Sequence, residues 1–400
     1  MIRIEYILGV AAALAVAVAA YWLIVPAGRR PLFLLVLSVL ATALINAVFA
    51  IYFLVNIAIV YAAAAAVRQE RANRKAVLVL SLVWLVGNLC FFKYGMTLFR
   101  KIAEAGLPPV AGASAVGILF PMGMSYVVFR LVHYMVESYR GNVPRGTFTE
   151  LALYVIFFPT FLAGPVDRFQ RFQPQVRKDK RLTLTDANAG LQRIFIGLVR
   201  KFIVADYLGG VILPILRNPE GHERWIVILS SYGVLLQLYM DFGGYTDMAL
   251  GISKLFGFDI MENFNKPLFQ KNIAMFWRNW HISVYTWIRD YFFFPLFGTS
   301  ASTARMYIGI VCSMTAFMLW HGATLGWVAL GLYHSAAMIV LDMFQNAKKR
   351  SPALRRFMGK SAVGYVCMFL TFSFTNFGIM FFTLETEGVA RLVMRVFAAG

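Results

Sequence analysis

The chain has 400 residues, of which 60% are hydrophobic and only 14% are charged. A water-soluble domain needs a more charged surface, so this composition excludes an ordinary soluble protein and favours a lipid environment. A formal net charge of +19 would indicate nucleic-acid binding in a soluble protein. Here the basic residues gather in short loops between apolar segments, as they do in the cytoplasmic loops of membrane proteins. We therefore expect the lipid bilayer as a partner, with anionic headgroups near those loops, and no nucleic acid.

Long apolar segments recur along the chain. A helix needs about 20 apolar residues to cross the hydrocarbon core, and candidate spans lie at 5–25, 31–48, 50–67, 76–98, 112–135, 202–217, 226–248, 303–319, 324–343 and 361–383. The run 31–67 is too long for one span and is predicted to hold two. We predict an all-α, polytopic membrane protein with a single domain over residues 1–400 and about 10–12 transmembrane helices, plus re-entrant and interfacial helices. The cysteines are expected to be small core residues without disulfide or metal-ligand spacing: Cys90, Cys312 and Cys367.

The basic residues assign a side of the membrane to each loop. Arg29 and Arg30 follow the first candidate span, and basic stretches recur at 68–75, 140–145, 168–181 and 348–356. All of them fall on the cytoplasmic side if residues 149–165 re-enter the bilayer or lie along its surface instead of crossing it. The segment 385–398 carries two arginines that would lie outside, and it is expected to be interfacial.

Polar residues at membrane depth are costly and tend to be functional, and two segments place them beside proline or glycine. Residues 157–169 contain two prolines and a glycine, which break a helix and fit a re-entrant turn whose freed backbone groups face protein or water. Residues 238–248 close a candidate span with paired glycines and two carboxylates, Asp241 and Asp247. These acids are either satisfied at a capped helix end or part of a functional site.

A third polar segment, residues 262–291, is too polar to span the bilayer and too aromatic to be a free loop. On a helix, Trp277, His281 and Tyr285 would share one face, because they are spaced four residues apart. Amphipathicity alone favours a helix that lies along the membrane surface with a belt of Trp, Tyr and Arg. The alternative is a helix that is folded into the protein and lines a cavity.

The histidines differ in their sequence surroundings. His222 lies in a polar loop and is expected to be solvated, whereas His133 and His334 are isolated in apolar segments and are expected to be hydrogen-bonded core residues. His321 lies where one candidate span ends and the next begins, and a buried neutral imidazole there can accept a proton from a hydroxyl. Taken alone, such a histidine is more often structural. The chain has no Ser-His or Cys-His nucleophile motif and no zinc spacing, so a histidine base fits better than a covalent acyl-enzyme.

Four motifs together resemble the membrane-bound O-acyltransferase (MBOAT) superfamily. They are Glu262-Asn263-Phe264-Asn265-x-Pro267, Phe276-Trp277-Arg278-x-Trp280-His281-Ile282-Ser283, Arg289-Asp290-Tyr291 and Leu319-Trp320-His321-Gly322. With Phe91–Tyr94, Gly123–Tyr126 and Ala163–Pro165, the likeness covers about residues 90–340 and is similar to the bacterial branch that modifies extracellular polymers. The alginate O-acetyltransferase group shares the Trp-His-Ile-Ser and Arg-Asp-Tyr stretches, whereas the D-alanyl-lipoteichoic acid group looks closer at 157–169 and in length. Asn279, where both groups more often carry Arg, and Tyr285, where a small or apolar residue is usual, leave the subgroup and its substrate open.

The resemblance implies helices around a central tunnel, with His321 as the catalytic histidine at its meeting point and His281 nearer the cytoplasmic side. It implies an acyltransferase without a bound cofactor that takes an acyl group, acetyl or D-alanyl, from a cytosolic thioester of coenzyme A or a carrier protein. The acceptor is a hydroxyl of an extracytoplasmic envelope polymer, such as teichoic acid or an exopolysaccharide like alginate. Members of this branch lie in the bacterial cytoplasmic membrane and usually work with a periplasmic or surface partner protein.

These expectations combine into a mechanism of direct acyl transfer. His321 acts as the general base on the hydroxyl, and His281, with Asn279 or the tryptophan pair, orients the thioester carbonyl or stabilises its oxyanion. Substrate contacts are predicted from Trp280, Asn279, Trp277, Arg289, Asp290, Asp241 and Trp320. One alternative is a transporter or flippase that only passes the acyl group to a separate transferase. Another is a structural scaffold, against which the clustered His, Asp and Arg at membrane depth argue.

Overall fold

The structure, a computed structural model, describes residues 4–69, 73–104, 121–298 and 302–397, and its regular elements there are all helical. The α-helices are α1 (Ile4–Ala19), α2 (Arg30–Ile45), α3 (Ala47–Val67), α4 (Arg74–Glu104), α5 (Met124–Arg140), α6 (Phe148–Ile156), α7 (Phe169–Arg177), α8 (Leu184–Leu198), α9 (Asp206–Arg217), α10 (Arg224–Leu255), α11 (Ile273–Asn279), α12 (Ile282–Ile288), α13 (Phe294–Phe297), α14 (Thr303–His321), α15 (Leu325–Arg350), α16 (Pro352–Met358) and α17 (Ser361–Phe397). Short π-helical segments lie at Ala20–Ile24, Val199–Ala205 and Arg289–Phe293. The predicted all-α class is confirmed.

The chain divides into two compact units. Unit 1 comprises Met1–Ile194 and Met248–Met261, and unit 2 comprises Phe195–Asp247 and Glu262–Gly400. Helices α8 and α10 contribute residues to both units. The units are groupings within one chain, and the single domain over residues 1–400 stays a prediction.

Within the described residues, seven helical stretches are long and apolar enough to cross a bilayer. They are Ala27–Ile45, Ala47–Val67, Arg74–Gly95, Arg224–Leu255, Thr303–His321, Leu325–Arg350 and Ser361–Phe381. They make the chain a multi-pass membrane protein, as predicted. The apolar run 31–67 holds two of them, α2 and α3, because the chain breaks at Asn46, whose side chain caps α3.

Three predicted spans are not among these seven stretches. The span at 5–25 corresponds to a shorter apolar helix, Leu8–Ile24. The span at 112–135 begins outside the described residues, and its described part belongs to α5, which has 17 residues and buries both apolar and charged side chains. The span at 202–217 begins inside a π-helical segment, and α9 has only 12 residues. These helices are therefore shorter or more charged than the seven stretches that are long and apolar enough to cross a bilayer.

The cysteines do not occupy the predicted core positions. Cys90 and Cys312 are exposed, and Cys367 is partly exposed. They lie on α4, α14 and α17, which are among the apolar helices, on faces turned away from the rest of the protein. An apolar segment that meets lipid has no need to bury its small residues in a protein core, so the sequence context did not separate the two environments.

In unit 1, one buried arginine supports the irregular chain after α6. Arg130 of α5 is 1% exposed and donates to the carbonyls of Tyr154, Val155, Thr160 and Pro165 at 2.8–3.1 Å. The predicted turn at 157–169 is thus buried, and backbone groups that the broken helix leaves unpaired find a protein donor. Helix α6 has nine residues and is too short to cross a bilayer, as expected for residues 149–165.

In unit 2, the polar segment 238–248 lies inside α10 and does not end it. Gly244 brings the helix close to the π-helical segment, because a Cβ there would lie 2.7 Å from the backbone nitrogen of Lys201. Arg200 forms an ion pair of 2.5 Å with Asp247, and Lys201 pairs with Asp241. The prediction of satisfied acids is confirmed, but the predicted helix end is wrong because the facing cations compensate both carboxylates within a continuous helix.

The C-terminal part of the described chain also differs from expectation. Helix α17 runs without a break from Ser361 to Phe397, so the described part of the segment 385–398 is not a separate element. Val389 and Leu392 belong to an apolar cluster with residues of α9 and α10, including Leu216 and Val234. Burial of this apolar surface holds the extended helix against α9 and α10 within unit 2.

Candidate active site

A sharp break between two short helices positions His281. Helix α11 ends at Asn279, α12 begins at Ile282, and His281 adopts a left-handed conformation with φ 47° and ψ 47°. The predicted common face of Trp277, His281 and Tyr285 is therefore wrong, because no single helix contains all three residues. Trp277 and His281 are each only 2% exposed. The segment is folded into unit 2, which supports the cavity alternative over a helix lying on the membrane surface.

The turn at His281 is held by the preceding loop. Asn263 is fully buried, and its backbone carbonyl accepts from the Ile282 amide at 2.9 Å. Its side-chain oxygen accepts from Ser283 Oγ at 2.6 Å and lies 3.4 Å from His281 Nδ1. The loop thus binds the two residues that follow the histidine and lies against its ring, and these bonds compensate for the uncommon backbone conformation.

The imidazole of His281 lies in an aromatic environment. The ring of Phe242 meets it edge to face at 4.8 Å, and those of Phe317 and Trp320 lie at 6.3 and 6.1 Å. Its Nε2 is buried and has no hydrogen-bond partner among the described residues. Burial lowers the pKa of His281 well below its ordinary value, and the nearby His321 lowers that pKa further. His281 is therefore a neutral imidazole at physiological pH.

His321 is the last residue of α14, and its ring joins the same aromatic cluster. The imidazole lies 4.5 Å from the ring of Trp320 and 5.5 Å from that of Phe317, and it stacks on Trp327 at 5.3 Å. Gly322 permits this approach, because a Cβ there would lie 2.1 Å from the indole nitrogen of Trp327. Phe317 and Trp320 contact both imidazoles, so the two histidines belong to one site.

The expected burial of His321 is wrong. Its side chain is exposed, whereas that of His281 is buried. The physical reason is its position: α14 ends at His321 and α15 begins at Leu325, so the ring lies at the end of a helix pair and not between helices. An exposed imidazole is open to a substrate that approaches from that end of the pair.

The other predicted site residues divide into two sets. Trp277 and Trp320 belong to the histidine cluster, since both pack against Phe317 at ring distances of 5.4 and 6.2 Å. Trp280 stacks on Phe276 at 5.3 Å. The remaining residues are engaged by their neighbours: Asn279 donates to the Met275 carbonyl, Arg289 pairs with Asp290, and Asp241 pairs with Lys201. The substrate contacts predicted for all these residues stay predictions.

The remaining histidines follow the sequence expectation in part. His133 is buried and accepts a hydrogen bond from the Phe169 amide at 2.9 Å, as predicted for a core histidine. His222 is partly exposed, in agreement with a loop position. His334 is buried, but neither of its ring nitrogens has a partner within the described part of the chain, so its predicted hydrogen bond is not found there.

Sequence reasoning missed the residues that join the two imidazoles. Phe317 precedes His321 by four residues, which places both on one face of α14. Asn263 and Ser283 stand inside the recognised motifs, but no spacing connects them to His281, since the contact depends on the loop fold. A cavity of about 210 Å³ borders Phe317 and is lined mainly by apolar side chains, with Tyr285, Arg289 and Ser313 as its polar residues.

Comparison with known proteins shows which family this chain resembles. The family described as MBOAT, membrane-bound O-acyltransferase family, matches residues 32–383. The "Probable alginate O-acetylase AlgI" of Pseudomonas aeruginosa is 35% identical over 281 residues, which cover 68% of this chain and 52% of that protein. The "Teichoic acid D-alanyltransferase" of Bacillus subtilis is 32% identical over 275 residues, covering 66% and 68%. The "Peptidoglycan O-acetyltransferase" of Helicobacter pylori is 27% identical over 361 residues, covering 82% and 65%. The chain thus spans about half the length of the alginate O-acetylases that it matches.

Proposed function

The chain belongs to the membrane-bound O-acyltransferase family, and from this premise we propose that it transfers an acyl group, acetyl or D-alanyl, from a cytosolic thioester to a hydroxyl of an extracytoplasmic envelope polymer. The relatives support this proposal, because their names refer to O-acetylation or D-alanylation of alginate, teichoic acid or peptidoglycan. The bacterial cytoplasmic membrane is the proposed location. The observation that carries the proposal is the pair of imidazoles, His281 and His321, on one aromatic cluster.

His321 is the proposed general base. Its imidazole removes the proton from the acceptor hydroxyl as the oxygen attacks the thioester carbonyl. The tetrahedral intermediate then expels the thiolate, which takes the proton from the imidazolium, so ester and free thiol form without a net change in protons. The exposed position of His321 supports this role, because a polymer hydroxyl has to reach the ring. The rings of Phe317 and Trp320 limit its movement and thereby favour productive orientation.

His281 is proposed to orient a reactant from within the same cluster. Its ring is buried and its Nε2 is unpaired among the described residues, so a bound substrate can supply the missing partner. The apolar cavity beside Phe317 offers space for the donor near these rings. The donor itself, acyl-coenzyme A or an acylated carrier protein, is proposed to be steered by the basic loops of the cytoplasmic face. A periplasmic or surface protein is the proposed partner for polymer delivery.

The test uses the full chain purified in detergent with radiolabelled acetyl-coenzyme A, or a D-alanylated carrier protein, and soluble oligosaccharides of alginate or teichoic acid. Wild-type protein should form an ester on one of these acceptors. The variant His321→Ala should lose about 10²–10⁴-fold in kcat, the usual contribution of a general base, and His281→Ala should lose less. The control His222→Ala, in a loop of the same unit, should retain wild-type activity.

Two results would contradict the proposal. Near-normal ester formation by a folded His321→Ala variant would remove His321 from the chemistry. Failure of the folded wild-type protein to form an ester with either donor, combined with acyl transport across reconstituted vesicles, would favour the flippase alternative, because a flippase needs a sealed membrane and no base.

A further inference from the structure

We propose that Asn263 is a positioning residue that keeps the proton of neutral His281 on Nδ1, so that Nε2 presents a lone pair to the reactants. This inference rests on the proposed function, since the tautomer of His281 matters for transfer only if His281 takes part in it. It also changes the role expected for His281. A ring nitrogen that carries a lone pair accepts a hydrogen bond and cannot donate one to a thioester oxyanion.

The amide oxygen of Asn263 determines which ring nitrogen of His281 carries the proton. Oδ1 of Asn263 lies 3.4 Å from Nδ1 of His281, and an amide oxygen can only accept hydrogen bonds. Two lone pairs facing each other would repel, so this contact is favourable only when Nδ1 carries the proton. Both residues are buried, at 0% and 2% exposure, and water does not compete for either group. Low dielectric surroundings therefore strengthen the preference.

Hydrogen bonds to two neighbouring helices fix the orientation of the Asn263 amide. Its Oδ1 accepts from Ser283 Oγ at 2.6 Å, and its Nδ2 donates to Thr246 Oγ1 at 3.4 Å. The Asn263 carbonyl accepts from the Ile282 amide at 2.9 Å. These contacts bind the residue to α10 and α12, so the amide cannot turn away from the imidazole without losing several hydrogen bonds. The orientation of the acceptor is thereby fixed by packing, as in second-layer partners of other functional histidines.

This tautomer determines which kind of group His281 can bind. With Nδ1 protonated, the buried Nε2, which has no partner among the described residues, can bind only a hydrogen-bond donor, and a polymer acceptor carries further hydroxyls besides the reacting one. His281 then accepts a hydrogen bond from a neighbouring hydroxyl of the acceptor, while the reacting hydroxyl gives its proton to His321 of the same cluster. Phe242, edge to face with His281 at 4.8 Å, restricts ring rotation and preserves this arrangement.

The first experiment measures the tautomer directly. Protein labelled with ¹⁵N-histidine is examined by solid-state NMR in wild type and in Asn263→Ala, with His281→Asn used to assign the signals. Wild type should show His281 with a protonated Nδ1 and an unprotonated Nε2, and Asn263→Ala should show a mixture of tautomers. A wild-type spectrum with the proton on Nε2 would overturn the proposal. This reading does not depend on catalysis, so it stays decisive even if the wild type forms no ester.

The second experiment measures transfer. Asn263→Ala should lower kcat about 10- to 100-fold, as loss of a histidine's orienting partner does, with the KM for the donor changed little. Asn263→Asp, which retains the acceptor oxygen, should recover most of the activity and serves as the folded variant if Asn263→Ala is unstable. Asn218→Ala, at an exposed loop position of unit 2, is the matched control. In a His281→Ala background, Asn263→Ala should cause no further loss; an independent and multiplicative loss would show a purely structural role.

Discussion

At the scale of single residues, burial decides which polar groups this protein tolerates. Arg130 is buried in unit 1, and it is stable there because four carbonyls and the hydroxyl of Thr160 accept its hydrogen bonds. The sequence around it shows only an arginine in an apolar helix. Its partners come from residues 154–165, and they lie near it only because α6 is short and the chain turns after it.

Replacement of Arg130 should therefore destabilise unit 1. In Arg130→Met the carbonyls lose their donor, and each buried carbonyl left unpaired costs about 1–3 kcal/mol, so the apparent melting temperature in detergent should fall strongly. Arg130→Lys should give an intermediate loss, since an ammonium has fewer donors than a guanidinium. The exposed Arg145→Met is the control and should leave the melting temperature unchanged. Equal melting temperatures for Arg130→Met and wild type would show that other groups satisfy these carbonyls.

At the scale of elements, breaks and close approaches between helices build the site. The turn between α11 and α12 places His281 against Phe242, and the end of α14 places His321 against Trp327. Helix α10 contributes Phe242, and its position depends on Gly244, where the facing backbone leaves no room for a side chain. The site is thus a property of how helices meet, and mutations at such contacts act on several side chains together.

Two glycine substitutions test this close approach. A Cβ at position 244 would lie 2.7 Å from the Lys201 nitrogen and 2.8 Å from the Gly197 oxygen, whereas nothing lies within 4 Å of a Cβ at Gly210. Gly244→Ala should therefore cost about 1–3 kcal/mol of stability, as overpacking usually does, and should reduce activity. Gly210→Ala, in α9, should be neutral or stabilising by about 0.5–1 kcal/mol. Thermal unfolding in detergent compares the two, and equal stability would contradict the contact.

At the scale of the whole molecule, the distribution of basic residues predicts which loops face the cytoplasm. Helix α8, a π-helical segment and α9 follow one another without a break from Leu184 to Arg217, although none of them is among the seven described stretches that are long and apolar enough to cross a bilayer. If it crosses the bilayer, the loop at Glu220 lies outside. The basic positions Lys178 and Lys349 then both lie inside, as the positive-inside pattern requires.

Cysteine labelling tests this arrangement in a background without the native cysteines, all three of which are free. A membrane-impermeant maleimide should label Glu220→Cys in intact cells, and Lys178→Cys and Lys349→Cys only after permeabilisation. All three positions are exposed in the structure, so lack of labelling reports the side of the membrane. Labelling of Lys178→Cys in intact cells, or protection of Glu220→Cys, would contradict the predicted crossing.

The sequence by itself determined the class of the protein, because apolar length, charge placement and helix breakers are local properties. It identified a helical membrane protein, two spans within residues 31–67, the non-crossing segment at 149–165 and the motifs that contain His281 and His321. It could not separate a lipid-facing helix from a buried one, since both are apolar, and so it placed the cysteines wrongly.

Only the tertiary structure decided how the site is assembled. The left-handed turn at His281 arises from bonds to Asn263, a residue eighteen positions earlier, and no helical periodicity contains that contact. The exposure of His321 and the sharing of Phe317 by both imidazoles likewise depend on where α14 ends and what packs against it. Contacts between residues distant in sequence are set by the packing of whole elements, which explains why the motifs revealed the histidines and the fold revealed their partners.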